Sequence, residues 1–382
     1  MDFSLNDEQR LLRDQIVKFA RNELNAGVIE RDKAHVFPHE LWLKCGEIGL
    51  QGLPVPEEYG GSGLDPLSTV IALEALGYGC EDGGLVFSIC AHLLACVVPI
   101  WKHGTEEQKK RYLPDLCAGK LIAVNAMTEP ESGSDAFNMR TRAVRDGDDF
   151  VIDGVKIFGS NGPVANLALV YARTDPDKGY LGGTTAFIVE EGAPGFEKGQ
   201  MFDKMSLRTC PIGELVFDGV RAGPEAVVGK VGGGGPIFNQ SMEWERTCLV
   251  GAHLGSMERL LDKSVDYAKT RKSFGQPIGS YQAVSHRIAD MKVRLEAARL
   301  LTYRAATRLE TSRAVGLDAS MAKLFTSESL VETALDTVRV LGGYGVMSEY
   351  GAERSLRDAV AGTLYSGTND MQRNIISRWL GL

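Results

Sequence analysis

The order of apolar and polar positions divides the chain into three stretches. From Asn6 to about residue 121, apolar residues recur every three or four positions, the period of helices that bury one face. Asn6 or Ser4 can cap the first helix, which carries Leu11, Leu12, Ile16, Phe19 and Ala20. A second helix is predicted over 38–48. It is followed by a break, GLPVPEEYGGSGLDP, too rich in Gly and Pro for a regular element. Apolar helices are predicted over 67–76 and 84–103, and a shorter amphipathic one over 106–116. From 121 to about 230 the text turns to β-branched and aromatic runs cut by Gly, Asp and Asn: LIAVNAMTEP, FVIDGVKIFGS, ALVYARTD, TTAFIVEEGA and GELVFDGVRA. Such short, regular runs predict a compact β-barrel or sandwich. The helical period then returns over 237–270, 281–311, 316–341 and from about 369, four helices with short links and hence an antiparallel bundle. The fold class is α+β, mostly α. It comprises an N-terminal helical domain (1–121), a middle β-barrel domain (122–231) and a C-terminal four-helix bundle (232–382).

One helical face in the third stretch carries an anomaly. Phe238, Met242, Glu245, Leu249, Ala252, Ser256 and Leu260 share a stripe that is apolar or small except for one carboxylate. An ionised Glu on a buried face is costly unless it is paired or its pKa is raised. A raised pKa is what a general base near neutral pH requires. Periodicity alone favours a plainer reading, in which Glu245 pairs with Arg246 or turns to solvent.

Composition narrows the role. The formal net charge of −8 over 382 residues argues against nucleic acid or an anionic membrane as the main partner. The basic cluster Lys109, Lys110 and Arg111 reads as a solvated face. The seven cysteines show no CxxC pair and no metal-like spacing, so buried free thiols in a reducing compartment are expected, and no metal site. The opening MDFSLNDEQRLLRD does not resemble a signal peptide, and no apolar run is expected to approach a membrane span. Together these features predict a cytoplasmic protein.

The three-part order, with VPEEYGGSGLDPL, TEPESGSD, GVKIFGSNG, RKSFGQPIGSYQAV, VLGGYGV and LYSGTNDMQR in sequence, resembles the acyl-CoA dehydrogenase family across the whole chain. That resemblance implies FAD as cofactor, a homo-oligomer, usually a tetramer, and oxidation of the Cα–Cβ bond of an acyl thioester. It places Met127, Thr128, Gly133 and Ser134 along the flavin and its pyrophosphate, and Phe158 and Ser160 beside the isoalloxazine ring. Arg271, Phe274 and Gln282 match positions that reach a neighbouring subunit's FAD, and Gly342 and Gly343 match a turn approaching the same cofactor. Arg339 and Asp370 stand where relatives usually have Gln, so the adenine end of the site is expected to be built differently. Thr368 is expected along the cofactor as well.

The largest departure concerns the base. Most relatives carry it in a Tyr-Glu-Gly-Thr segment, where this chain reads Tyr365-Ser366-Gly367-Thr368. Isovaleryl- and long-chain-type relatives place their Glu at the position matching Glu245. The resemblance therefore implies Glu245 as the base that removes the α-proton while the β-hydrogen leaves as hydride. Ser366 then supplies a backbone N–H to the thioester carbonyl, and Trp244, Arg246, Tyr365 and Gly367 flank the substrate. The Ser-for-Glu exchange, Trp244-Glu245-Arg246 and LRTCPIGEL look most like the branch acting on prolyl groups held by the phosphopantetheine arm of peptidyl carrier proteins, which make pyrrole units for natural products. Two other readings stand beside it: an isovaleryl-type, short or branched acyl-CoA dehydrogenase, and a non-catalytic flavin-binding relative. The residues are compatible with either an electron-transfer flavoprotein or dioxygen as acceptor.

Overall fold

The computed structural model describes residues 4–311 and 315–382. Helix α1 (Asp7–Glu23) begins at Asn6, whose side chain accepts from the Gln9 N–H while Gln9 Oε1 accepts from the Asn6 N–H. Two of the helix's unpaired donors are thereby satisfied. The short α2 (Val28–Ala34), which sequence periodicity did not indicate, starts at left-handed Gly27 and lacks a side-chain cap. α3 (His39–Glu47) follows. After the Gly/Pro break, α4 (Pro66–Gly79) is launched by Asp65, which accepts from the Ser68 N–H, with Pro66 in the first turn.

α5 (Gly83–His92) and α6 (Val98–His103) run into each other through a π-helical turn at Leu93–Val97. This corrects the expectation that no apolar run approaches a membrane span. Gly83–His103 spans 21 residues and contains an 18-residue window of mean hydropathy 2.1, long and apolar enough to cross one. In the fold, however, 94% of that window is buried inside the protein. It is a core helix, apolar all round because neighbours cover every face. α7 (Glu106–Cys117) closes the first stretch. There Lys109 pairs with Glu106 at 2.9 Å and Arg111 with Glu190 at 2.6 Å, so two of the three clustered cations serve as surface ion pairs.

The middle of the chain forms a mixed sheet of eight strands. They are β1 (Ala123–Ala126), β2 (Arg142–Asp146), β3 (Asp149–Ser160), β4 (Leu167–Arg173), β5 (Thr184–Glu190), β6 (Phe196–Met201), β7 (Ile212–Ala222) and β8 (Val227–Val228). The order is β6-β7-β3-β2-β4-β5-β8, with β1 pairing β4. One partner register of β4 is shared in parallel: β1 takes residues 167–170, and Arg142 of β2 meets Arg173. β4 and β5 are buried along nearly their whole length, which is why they read as unbroken apolar runs rather than alternating ones. A separate core of Val124, Phe150, Ile152, Phe187, Leu215 and Phe217 fills the sheet.

The third stretch is helical: α8 (Gly234–Thr270), α9 (Gln282–Thr311), α10 (Gly316–Leu341), α11 (Ala352–Ala361) and α12 (Asn369–Trp379). At 37 residues α8 is about 55 Å long. It packs closely on α4: a Cβ on Gly77 would strike the Ala252 carbonyl, and one on Gly255 the Glu74 carbonyl. Only glycine permits that approach. Glu74, buried on α4, accepts from Arg299 at 2.7 Å and Tyr303 at 2.8 Å on α9, tying the first helical layer to the bundle. The close α4–α8 seam fixes α8 against the first helical layer, with Glu245 about two turns N-terminal to the Ala252 contact.

Candidate active site

Glu245 is 6% exposed and sits among apolar neighbours on α8. Burial drives its pKa upward, opposed in turn by a hydrogen bond from Ser366, by Arg246 and by Lys323. The Ser366 hydroxyl donates to Glu245 Oε1 at 2.7 Å. The plainer sequence reading, a Glu245 held by Arg246 or facing water, does not describe this geometry. Arg246 instead donates Nε to the Ser366 carbonyl at 2.9 Å. Neighbours on one helix thus grip opposite sides of the same serine.

The segment carrying Ser366 is a strained turn between α11 and α12. Ser366 holds φ 56° and Gly367 φ 83°, both left-handed, a conformation a serine adopts only when its surroundings impose it. Gln372, fully buried on α12, donates to the Gly367 carbonyl at 2.8 Å. Thr368 caps α12 by accepting from the Met371 N–H. Asn369 takes a hydrogen bond from Lys323 Nζ at 2.7 Å. Burial first, then Arg246, lowers that lysine to about 7. Among the described residues no acceptor meets the Ser366 N–H, which leaves that donor free for a ligand.

Next to this turn lies a cavity of about 50 Å³ lined by Phe87, Cys90, Leu249, Ala252, His253 and Tyr365, among others. The Tyr365 ring packs 4.4 Å from Phe87, and its hydroxyl lies 2.6 Å from His253 Nε2. Of the four residues expected along the substrate, Tyr365 lines this cavity. Trp244 packs edge-on against Trp101 at 6.0 Å, beneath Lys102. Arg246 and Gly367 belong to the Ser366 support, where a side chain on Gly367 would crowd Gln372 and Arg246.

A second group of expected residues meets at the ends of β1 and β3. The Ile157 N–H donates to the Thr128 carbonyl at 2.8 Å, bringing Met127 and Thr128 alongside Phe158. Beneath them Lys156 donates to the Met127 carbonyl at 2.9 Å and to Glu129 at 2.8 Å. Burial lowers Lys156 to about 8, with Glu129 resisting. Phe158 is 57% exposed with φ 57°, an outlying conformation for so bulky a residue. The end of β3 is pinned by buried Asn161, which donates to the Ser88 carbonyl at 3.0 Å. Gly133 and Ser134 are exposed and follow a turn closed by reciprocal Glu129–Ser132 backbone bonds; the Ser132 hydroxyl donates to the Asp135 carbonyl across them, and a Cβ on Gly133 would meet nothing within 4 Å. An uncovered aromatic face, a hydroxyl on Ser160 and small residues in open space fit a flavin, which has an apolar ring face, polar edges and a phosphate tail.

The remaining expected residues are on the outer end of the bundle. Arg271, at the end of α8, places its guanidinium 5.6 Å from the Tyr344 ring, beside the turn of Gly342 and Gly343. Phe274 sits with φ 48° and 95% exposure between the two-residue strands β9 (Lys272–Ser273) and β10 (Gln276–Pro277). Gln282 opens α9. Arg339 pairs with Asp336, which also holds Arg287 and Arg294, while Asp370 is 91% exposed beside Arg373.

Sequence reasoning did not single out Glu129, Lys156, His253, Lys323 or Gln372. The available signals were a lysine within the β-text GVKIFGS, a second lysine within the apolar ASMAKLF, and a histidine beside Ala252 on the Glu245 stripe.

Models of the acyl-CoA dehydrogenase N-terminal, middle and C-terminal domains match residues 6–120, 125–220 and 232–381. The L-prolyl-(peptidyl-carrier protein) dehydrogenase of Pseudomonas fluorescens is 44% identical over 383 residues, spanning all of both chains. Among solved structures, PigA with FAD and proline superposes with a TM-score of 0.98 at 41% identity over the whole of both chains. The prolyl acyl carrier protein oxidase AnaB does so at 0.97 and 42% identity, over 99% of this chain and 100% of that one.

Proposed function

The chain belongs to the acyl-CoA dehydrogenase family, and on that premise we propose that it is an FAD-dependent dehydrogenase of a prolyl thioester carried on a peptidyl carrier protein. The observation that carries this reading is the 2.7 Å bond from Ser366 to a buried Glu245. The family's usual base position is here a hydroxyl, and the carboxylate it touches comes from the other helix. Full-length similarity to prolyl-carrier-protein dehydrogenases supports the substrate.

Glu245 takes the α-proton. Its raised pKa makes it a stronger base toward that proton than an ordinary carboxylate, and the Ser366 hydroxyl aims the carboxylate. As the proton leaves, negative charge builds on the thioester oxygen. The Ser366 N–H is the donor for that oxygen, fixed by Arg246 and Gln372 on its own and the next carbonyl. The apolar cavity holding the acyl group excludes water that would otherwise compete for the base. FAD, when bound, supplies the acceptor for the β-hydrogen. Met127, Thr128, Gly133, Ser134, Phe158 and Ser160 would hold its flavin end, with Thr368 nearby. Arg271, Phe274, Gln282, Arg339, Gly342, Gly343 and Asp370 would serve the distal half in a homo-oligomer, for which the exposure of Phe274 speaks.

Incubating the protein with prolyl-loaded carrier protein and weighing the intact carrier tests the reading. A loss of two or four mass units, abolished in Glu245→Gln, is expected. Flavin bleaching by isovaleryl-CoA but not by prolyl carrier would overturn it in favour of a branched-chain acyl-CoA substrate.

A further inference from the structure

We propose that His253 and Tyr365 together read the amine nitrogen of the substrate's aminoacyl group, and so set the preference for an amino acid over a plain acyl chain; this rests on the thioester dehydrogenase reading above. The cavity beside Ser366 is lined by apolar Phe87, Cys90, Leu249 and Ala252 and also by charged Glu81, Arg259 and Asp358. His253 and Tyr365 contribute a neutral polar pair to that lining. They are joined at 2.6 Å through Nε2 and the phenol oxygen, which satisfies one function of each. His253 Nδ1 is buried and has no partner among the described residues. An unpaired buried nitrogen is costly, so a complementary ligand atom there is favoured.

The chemistry of that ligand follows from the pair's surroundings. Burial, with Lys323 adding to it, lowers His253 to about 3, so the ring is neutral. Burial also pushes the Tyr365 phenol well up, with Cys90, Glu245 and Asp358 adding to the effect. A neutral donor–acceptor pair suits an amine N–H, which both gives and accepts a hydrogen bond. Position narrows the choice further. Tyr365 immediately precedes Ser366, whose N–H serves the thioester carbonyl. In an aminoacyl thioester the nitrogen is bonded to the carbon next to that carbonyl, so groups reading the two must themselves be neighbours. A prolyl ring meets these conditions: its nitrogen faces the pair and its methylenes face the apolar wall.

The test compares prolyl, N-methylprolyl and cyclopentanecarbonyl groups on the same carrier protein, with kcat/KM measured for each. In the wild type, N-methylation or replacement of N–H by CH₂ is expected to lower kcat/KM by about tenfold or more. In Tyr365→Phe and His253→Leu the prolyl-to-cyclopentanecarbonyl ratio is expected to collapse toward one, with His253→Gln restoring part of it. Equal rates on all three groups in the wild type would overturn the assignment whatever the variants do. So would an unchanged ratio in variants that retain FAD absorbance and a wild-type melting temperature. A wild type that oxidises cyclopentanecarbonyl but no prolyl group would remove the underlying substrate reading instead.

Discussion

Ser366 donates its hydroxyl to Glu245 across 2.7 Å, although 121 positions separate them in the chain. The contact joins two places where a base can stand in this fold, and in this protein one holds the carboxylate while the other holds its hydrogen-bond donor. The hydroxyl opposes burial, keeping the Glu245 pKa from rising further.

Glu245→Gln is expected to lower kcat by on the order of 10²–10⁴ while leaving flavin bound. It also bears on stability. The folded-state pKa of Glu245 lies above its unfolded value, so its contribution is fully present below the ordinary carboxylate range and is lost as pH rises through the folded pKa. Glutamine has no such loss. Calorimetry should show the variant melting above the wild type at pH 8, with the gap closing toward pH 4; a gap independent of pH would contradict the buried, ionising carboxylate.

Ser366→Ala removes a hydrogen bond that favours the ionised Glu245. The acid limb of the pH–rate profile should move to higher pH. At pH 7 kcat should fall by about tenfold, the worth of one charge-assisted hydrogen bond. At high pH most of the rate should return. A profile scaled down without displacement would mean that the hydroxyl does not act on the base.

Lys156 and Glu129 form an ion pair that is almost wholly buried beneath the Met127 carbonyl. Lys156→Met leaves Glu129 with only the N–H groups of Arg140 and Thr141. Urea unfolding should show a loss of about 3 kcal/mol, the usual penalty for stranding one buried charge. The double variant Lys156→Met/Glu129→Gln should recover most of that loss while still binding flavin less tightly, because the Met127 carbonyl stays unanchored.

All seven cysteines are free and buried, as their apolar sequence neighbours indicate. Burial raises Cys80 and Cys117 to about 12, so both are protonated at pH 8. A water-soluble thiol reagent at that pH should label none in the native protein and all seven after denaturation.

The sequence by itself determined the order of helices, strands and helices, because the apolar period changes from about four to two and back where the chain passes into and out of the sheet. It also isolated Glu245, since a lone acid on an apolar stripe is visible in one helix without its neighbours. It did not reveal α2, which is short and uncapped, or that the helix over Gly83–His103 is long and apolar enough to span a membrane. The partnership of Glu245 with Ser366, the His253–Tyr365 pair and the lysine under Met127 were decided by tertiary structure. Each joins segments that no local pattern relates, and its energy depends on burial that exists only once α8, the turn before α12 and the sheet edge have packed together.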